Sequence, residues 1–227
     1  MKIYPSETSQ TPLLVAVAGY PTPDGGKALA YVHTRNLYYR NKGLNVTVLN
    51  FGAHSDYDID GIRVITLETF RKSSLSYRIL ILHAANLRNH YIFLKRYGNR
   101  FGHFVFFFHG HEVLKINSVY SEAYDFVKKR KAPYFQDIYD TLKLQVWRNF
   151  LPKIREKSYF IFVSRWMYDQ FLLNTGIDQS MLENRCSIIY NSVGETFSAN
   201  AWDETSPKEF DFITIRSIVI QLKKRLQ

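Results

Sequence analysis

The chain has 227 residues, of which 46% are hydrophobic and 16% aromatic, and 30 Lys and Arg stand against 20 Asp and Glu for a formal charge of +10. Such a length suits one large α/β domain, or one domain with a fragment of another, and the apolar content excludes a disordered chain. A single cysteine, Cys186, excludes an internal disulfide framework, and no apolar run approaches the ~18 residues that a membrane span requires.

Leu13 to Gly19 is a continuous apolar run, the pattern of a strand buried on both faces of a parallel sheet. Pro21, Pro23, Asp24, Gly25 and Gly26 break it. Ala28 to Asn41 then reads as a helix, Gly43 ends it, and Asn45 to Phe51 forms a second apolar strand. A strand, glycine loop, helix and strand in this order open a Rossmann-like, doubly wound α/β fold with a mainly parallel sheet and helices on both faces. Gly25 and Gly26 let the backbone approach a bulky or anionic ligand at a helix N-terminus; a tight turn without a ligand is the alternative. Two sharper phosphate motifs fail. The G-x-G-x-x-G frame lacks its spacing, and Gly26-Lys27 is followed by Ala28 rather than Ser or Thr. An ordinary dehydrogenase and a P-loop enzyme are thereby excluded.

Asp56 to Gly61 reads as a polar loop with two overlapping Asp-x-Asp patterns. Its place before a short strand, Ile62 to Leu67, suits a hairpin better than a cation site. Ile79 to His83 is the next buried strand, and Asn86 to Tyr97 a helix with Leu87, Tyr91 and Leu94 on one face. Arg88, His90, Lys95, Arg96 and Arg100 make that helix's surroundings basic, either as a solvated face or for docking to acidic lipid head groups. His103 to Phe108 is the most hydrophobic strand and runs into His109-Gly110-His111-Glu112. Ligands of open α/β sheets sit just beyond the carboxyl ends of strands, so this cluster is the candidate site, with Gly110 permitting a turn that aims His109 at a cleft. His109 and His111 also have the spacing of a metal pair, but no third ligand is evident, and a non-metal role is preferred.

Ser118 to Lys131 and Phe135 to Lys157 read as two helices separated at Pro133. The second is amphipathic: Ile138, Leu142, Val146, Trp147 and Phe150 form a stripe expected to pack on the sheet, with Lys143, Arg148, Lys153, Arg155 and Lys157 outside it. Between Lys115 and Lys157, ten basic residues stand against five acidic ones, about half the net charge of the chain. Tyr159 to Ser164 is a strand, and Ser164 suits a helix N-cap rather than a nucleophile, since no G-x-S-x-G surrounds it. Cys186 to Tyr190 is a further strand. Ala199 to Lys208 reads as a linker, and Phe210 to Arg216 as the first strand of a new unit.

A basic chain rich in aromatics could stack on single-stranded nucleic acid. Here Phe104, Phe106, Phe107 and Phe108 fall inside a strand, so nucleic acid is not expected as a partner. An anionic membrane surface or phosphorylated substrates account for the charge at least as well. Met1 to Gln10 has no apolar signal-peptide core, which with the lone cysteine points to the cytoplasm, with contact at the inner face of the membrane as an extension of that expectation.

The order of Gly25-Gly26 after the first strand, His109-Gly110-His111-Glu112 after a central strand, Val163-Ser164 opening a helix and Ile189-Tyr190-Asn191-Ser192-Val193 to Phe197 resembles the N-terminal half of family 4 retaining glycosyltransferases, which have two facing Rossmann-like domains (the GT-B fold). The likeness spans about residues 13 to 216; Ser192 and Gly194 depart from the family's usual Gly and Asp after Asn191. It implies an acceptor-side domain over residues 1–205, with 206–227 as the linker and first strand of a truncated donor-binding domain, and so no turnover by this chain alone. It further implies transfer of a sugar from a nucleoside diphosphate sugar to an acceptor hydroxyl, with retention, in cell-surface polysaccharide assembly. No metal or other cofactor is implied. The partners implied are the nucleotide sugar and a glycan or lipid-linked acceptor. By the same likeness His109 faces the transferred sugar, and Gly25, Gly26, Lys27, Gly110, Glu112 and Asn191 line the substrate and donor-phosphate cleft. A non-catalytic sugar- or nucleotide-binding module and a hydrolase with a metal on His109 and His111 are the competing readings.

Overall fold

In the computed structural model, which describes residues 12–119 and 133–192, the apolar runs become the strands of one sheet. Among the described residues the strands are β1 (Leu13–Val17), β2 (Val46–Asn50), β3 (Tyr57–Ile59), β4 (Ile62–Ile65), β5 (Ile79–His83), β6 (His103–Phe108), β7 (Ser158–Phe162) and β8 (Cys186–Ile188). Their spatial order is β3-β4-β2-β1-β5-β6-β7-β8, and all pairs are parallel except the edge hairpin β3–β4. Counting the parallel strands alone, the chain winds outward from β1 in one direction, returns, and winds outward from β5 in the other, as expected of a doubly wound fold. The expected second unit after residue 205, the body of the helix expected over Ser118 to Lys131, and the Val193 to Phe197 segment lie outside the described residues.

Alternate residues of each strand feed two cores. Leu14, Ala16, Leu80, Leu82, Phe104, Phe106, Phe108, Phe160 and Phe162 face one side of the sheet, where α2 (Leu67–Lys72), α3 (Ile92–Tyr97), α4 (Ile116–Val119), α5 (Pro133–Phe150) and α6 (Arg165–Thr175) bring Phe70, Phe93, Leu94, Ile116, Trp147, Met167 and Phe171. On the other side Val15, Val17, Val48, Ile81 and Phe107 meet α1 (Ala30–Asn41) through Val32 and the partly buried Tyr31 and Leu37. Phenylalanines in register, Phe106 beside Phe160 at 5.7 Å and Phe108 beside Phe162 at 5.3 Å, stack in near-parallel pairs across neighbouring strands.

Three local expectations change. The acidic loop contains strand β3, and its turn falls at Asp60-Gly61, both with positive φ. The strand expected to reach Leu67 stops at Ile65, because the Thr66 hydroxyl accepts the Thr69 N–H at 3.1 Å and starts α2, while the Asp56 carboxylate accepts the Thr66 N–H at 2.8 Å. The largest change concerns α5. Ile138 and Leu142 point to solvent, and the buried face carries Asp140, Lys143, Leu144 and Trp147. The helix is thus turned by roughly 100°, the arc of one residue, from its expected face. The cause is a buried ion pair: Lys143 Nζ donates to Asp140 at 2.6 Å and to the carbonyls of His111 and Leu114 at 2.7 and 2.9 Å, leaving none of its protons unmatched. Asp140 in turn accepts the Ile116 N–H at 2.8 Å and the Gln136 amide at 3.0 Å. Ser164 caps α6 as expected, accepting the Met167 N–H at 3.1 Å.

Candidate functional site

Strand order reverses between β1 and β5, so the crevice beyond the carboxyl ends of β1, β5 and β6 is the natural ligand position. The loop leaving β1 is pinned there. The Tyr20 hydroxyl lies 2.8 Å from His33 Nδ1 and accepts the Asn36 amide at 3.0 Å, and His33 Nε2 lies 2.8 Å from the Asp60 carboxylate. The phenol and the imidazole thus tie this loop to α1 and to the Asp60 turn. Burial raises the Tyr20 pKa well above the ordinary phenol range, so it stays a neutral link. The Pro21 carbonyl accepts the Tyr57 hydroxyl at 3.0 Å, tying the loop also to β3.

Beyond Pro21 the loop closes on itself. Gly25 N–H donates to the Thr22 carbonyl at 3.0 Å, Gly26 N–H to the Thr22 hydroxyl at 3.2 Å, and Thr22 N–H to the Gly26 carbonyl at 3.1 Å. The Thr22 hydroxyl bonds Asp24, which holds that carboxyl below its usual range. Gly25 takes φ +96°, and a Cβ on Gly26 would collide with Thr22 Oγ1, so both glycines are required by the turn. Their amides serve the loop, and α1 starts only at Ala30, so they do not lie at the helix N-terminus as expected. Lys27 is exposed at the same tip.

The centre of the crevice holds two histidines. His83, at the end of β5, is fully buried and its Nδ1 lies 3.0 Å from Nε2 of His109. His83 stacks on Phe107 at 4.3 Å, the Tyr31 ring lies 4.7 Å from His109, and the Arg35 guanidinium sits 4.7 Å above Phe107. Burial, with further repulsion from Arg35, pushes His109 down to about 4 and His83 well below the ordinary imidazole value. Burial, aided by the Glu112 charge, pushes the Tyr31 phenol up to about 12. Both imidazoles are therefore neutral at physiological pH and share one hydrogen between them. Of the two outer nitrogens, His83 Nε2 and His109 Nδ1, one then carries a proton and the other a lone pair, and neither finds a partner among the described residues.

The other expected residues divide. Glu112 is buried and its carboxylate accepts the His109 and Gly110 N–H groups at 2.8 and 2.6 Å, so it builds the turn that aims His109. Burial raises its pKa, opposed by those two amides. Gly110, at φ +156°, lies inside the same turn. His111 is exposed, and no group of three metal-binding side chains exists among the described residues. Asn191 is exposed beyond β8, with β7 between its strand and that of His109. On the α5 side a cavity of about 150 Å³ opens between the ends of β5 and β6, lined by Asn86, His111, Glu112, Gln136, Tyr139 and Lys143 among others. Asn86, Gln136 and Tyr139 had no signal in the sequence beyond their helices. Larger hollows of about 440 and 410 Å³ lie before β8 and beside the amino end of β6, away from the crevice.

Among the described residues no helix is long and apolar enough to cross a membrane. No protein-family model matches the chain, and no curated protein matches it either.

Proposed function

We propose that this chain is the acceptor-side domain of a retaining glycosyltransferase that uses a nucleoside diphosphate sugar. The observation that carries the reading is the neutral His83–His109 pair at the switch point, with a ring nitrogen on His109 that has no partner among the described residues. A neutral imidazole bonds a sugar hydroxyl as donor or acceptor without introducing a charge that would have to be desolvated. In transfer, the bond from the anomeric carbon to the diphosphate oxygen breaks, the acceptor oxygen bonds on the same face, and the acceptor proton leaves with the diphosphate. His109 Nδ1 orients the sugar for this step. Glu112 and Lys143 hold the turn that carries His109, and Lys27 at the exposed loop tip supplies positive charge towards the donor phosphates.

Transfer from nucleotide sugars, assayed with a donor-binding domain supplied, tests the reading. His109→Ala is expected to lower turnover by 10²-fold or more, in line with loss of a group acting only on the reacting centre. Unchanged turnover would overturn the assignment. Ligand binding by the wild type with no transfer to any acceptor would favour the sugar- or nucleotide-binding module.

A further inference from the structure

The cavity of about 150 Å³ between the ends of β5 and β6 is not used by the histidine pair, and its size and lining together describe an occupant. It lies at the carboxyl ends of the strands, the ligand side of an open α/β sheet, on the face covered by α5. Its volume suits a single ring: an apolar protein cavity of about 150 Å³ takes up one benzene. Tyr139, 37% exposed, stands where the cavity meets solvent, and its ring centroid is 5.8 Å from Lys143 Nζ.

The buried charges of the lining are spent on the protein itself. Lys143 gives its ammonium protons to Asp140 and two carbonyls, Asp140 also accepts from Gln136 and Ile116, and each oxygen of Glu112 takes a backbone N–H. An anionic ligand would meet no spare ammonium and a cationic one no bare carboxylate, so either would shed its hydration without return. What remains on the lining is neutral. Asn86 Oδ1 accepts the Asn89 N–H at 2.8 Å, which fixes the amide and leaves its NH2 group over as a donor. Gln136 turns its NH2 group to Asp140, a carboxylate that accepts only, so its carbonyl oxygen is left as an acceptor. The Tyr139 hydroxyl can serve in either sense. None of these three groups has a hydrogen-bond partner among the described residues. An apolar ring would leave them desolvated and unpaired, whereas a ring bearing several hydroxyls, each both donor and acceptor, can match all three.

We propose that this cavity binds one uncharged polyol ring, a pyranose or a cyclitol, through the Asn86 amide, the Gln136 carbonyl and the Tyr139 hydroxyl. The site stands whether or not the crevice transfers sugars, because binding is read on the chain alone, with no nucleotide donor and no turnover. Saturation-transfer NMR and calorimetry of the full chain test it with glucose, galactose, mannose and myo-inositol. Glucuronate, glucosamine and phenol serve as the anionic, cationic and apolar rings. At least one of the four neutral polyols is expected to bind, and more tightly than any of those three. Asn86→Ser keeps a helix cap while removing the amide donors, and Tyr139→Phe removes only the hydroxyl. Together they are expected to raise the dissociation constant of that polyol about tenfold with the thermal melt in place. Binding of none of the four would overturn the proposal and leave the cavity to water. Tighter binding of a charged or apolar ring would overturn it too, as would equal affinity of the double variant and the wild type, which would put the polyol elsewhere.

Discussion

At His109 the decisive property is charge state rather than position. An imidazole at a strand end in water would titrate near 6.5, whereas burial and Arg35 hold this one at about 4. Ring nitrogen NMR of the folded chain is expected to show His109 neutral through pH 6 and titrating near 4; a midpoint near 6.5 would contradict the buried pair. His83 acts through His109. His83→Phe removes the 3.0 Å partner of His109 Nε2. The Nε2 resonance of that variant should move from its wild-type position, while His83→Gln, whose amide can donate to or accept from Nε2, should bring it part of the way back. Lys143 presents a purer stability problem. It is buried with Asp140, so Lys143→Met leaves an unmatched carboxylate together with two carbonyls that lose their donor. Breaking a buried pair in this way costs about 3–5 kcal/mol, readable as a drop in the urea midpoint.

At the scale of elements, the strands and α5 contrast. β1, β5, β6 and β7 were legible because a strand buried on both faces has only one solution, a short continuous apolar run. The face of α5 was not legible, because apolar residues at helical spacing lie on both of its sides and periodicity permits either to face the core. What chose between them was the Asp140–Lys143 pair closing on carbonyls from the turn after β6, a contact set by tertiary structure. Trp147→Ala should accordingly cost about 3–5 kcal/mol of unfolding free energy, while Leu142→Ala on the same helix should fall within about 0.5 kcal/mol of the wild type. The candidate site divides in the same way. His109 was visible from its place after a strand, but His83 read only as the end of an apolar run. Its partnership depends on the β5–β6 register, which aligns His83 with Phe107 and leaves His109 two residues further on the same face. The two glycines were visible too, but not the closure of their amides on Thr22.

Across the whole molecule the buried imidazoles add up. His83, His90 and His109 are all held below the ordinary 6.5, His90 and His109 at about 4, chiefly by burial. Below pH 6.5 the unfolded chain binds protons that the folded chain refuses, until about pH 4 for His90 and His109. Stability from these groups is therefore complete above 6.5 and is lost as pH falls towards 4. Glu112, raised by burial, works in the opposite sense but is one group against three. The urea midpoint is expected to fall steeply between pH 6.5 and 4; a flat profile across that window would mean that the imidazoles are hydrated. Tyr139 belongs both to the outward face of α5 and to the lining of the 150 Å³ cavity beside the turn of His109. One side chain thus borders both the exposed apolar face of the helix and the cavity. Rotation of that ring would widen or narrow the cavity and change the exposed apolar area of the helix in the same movement.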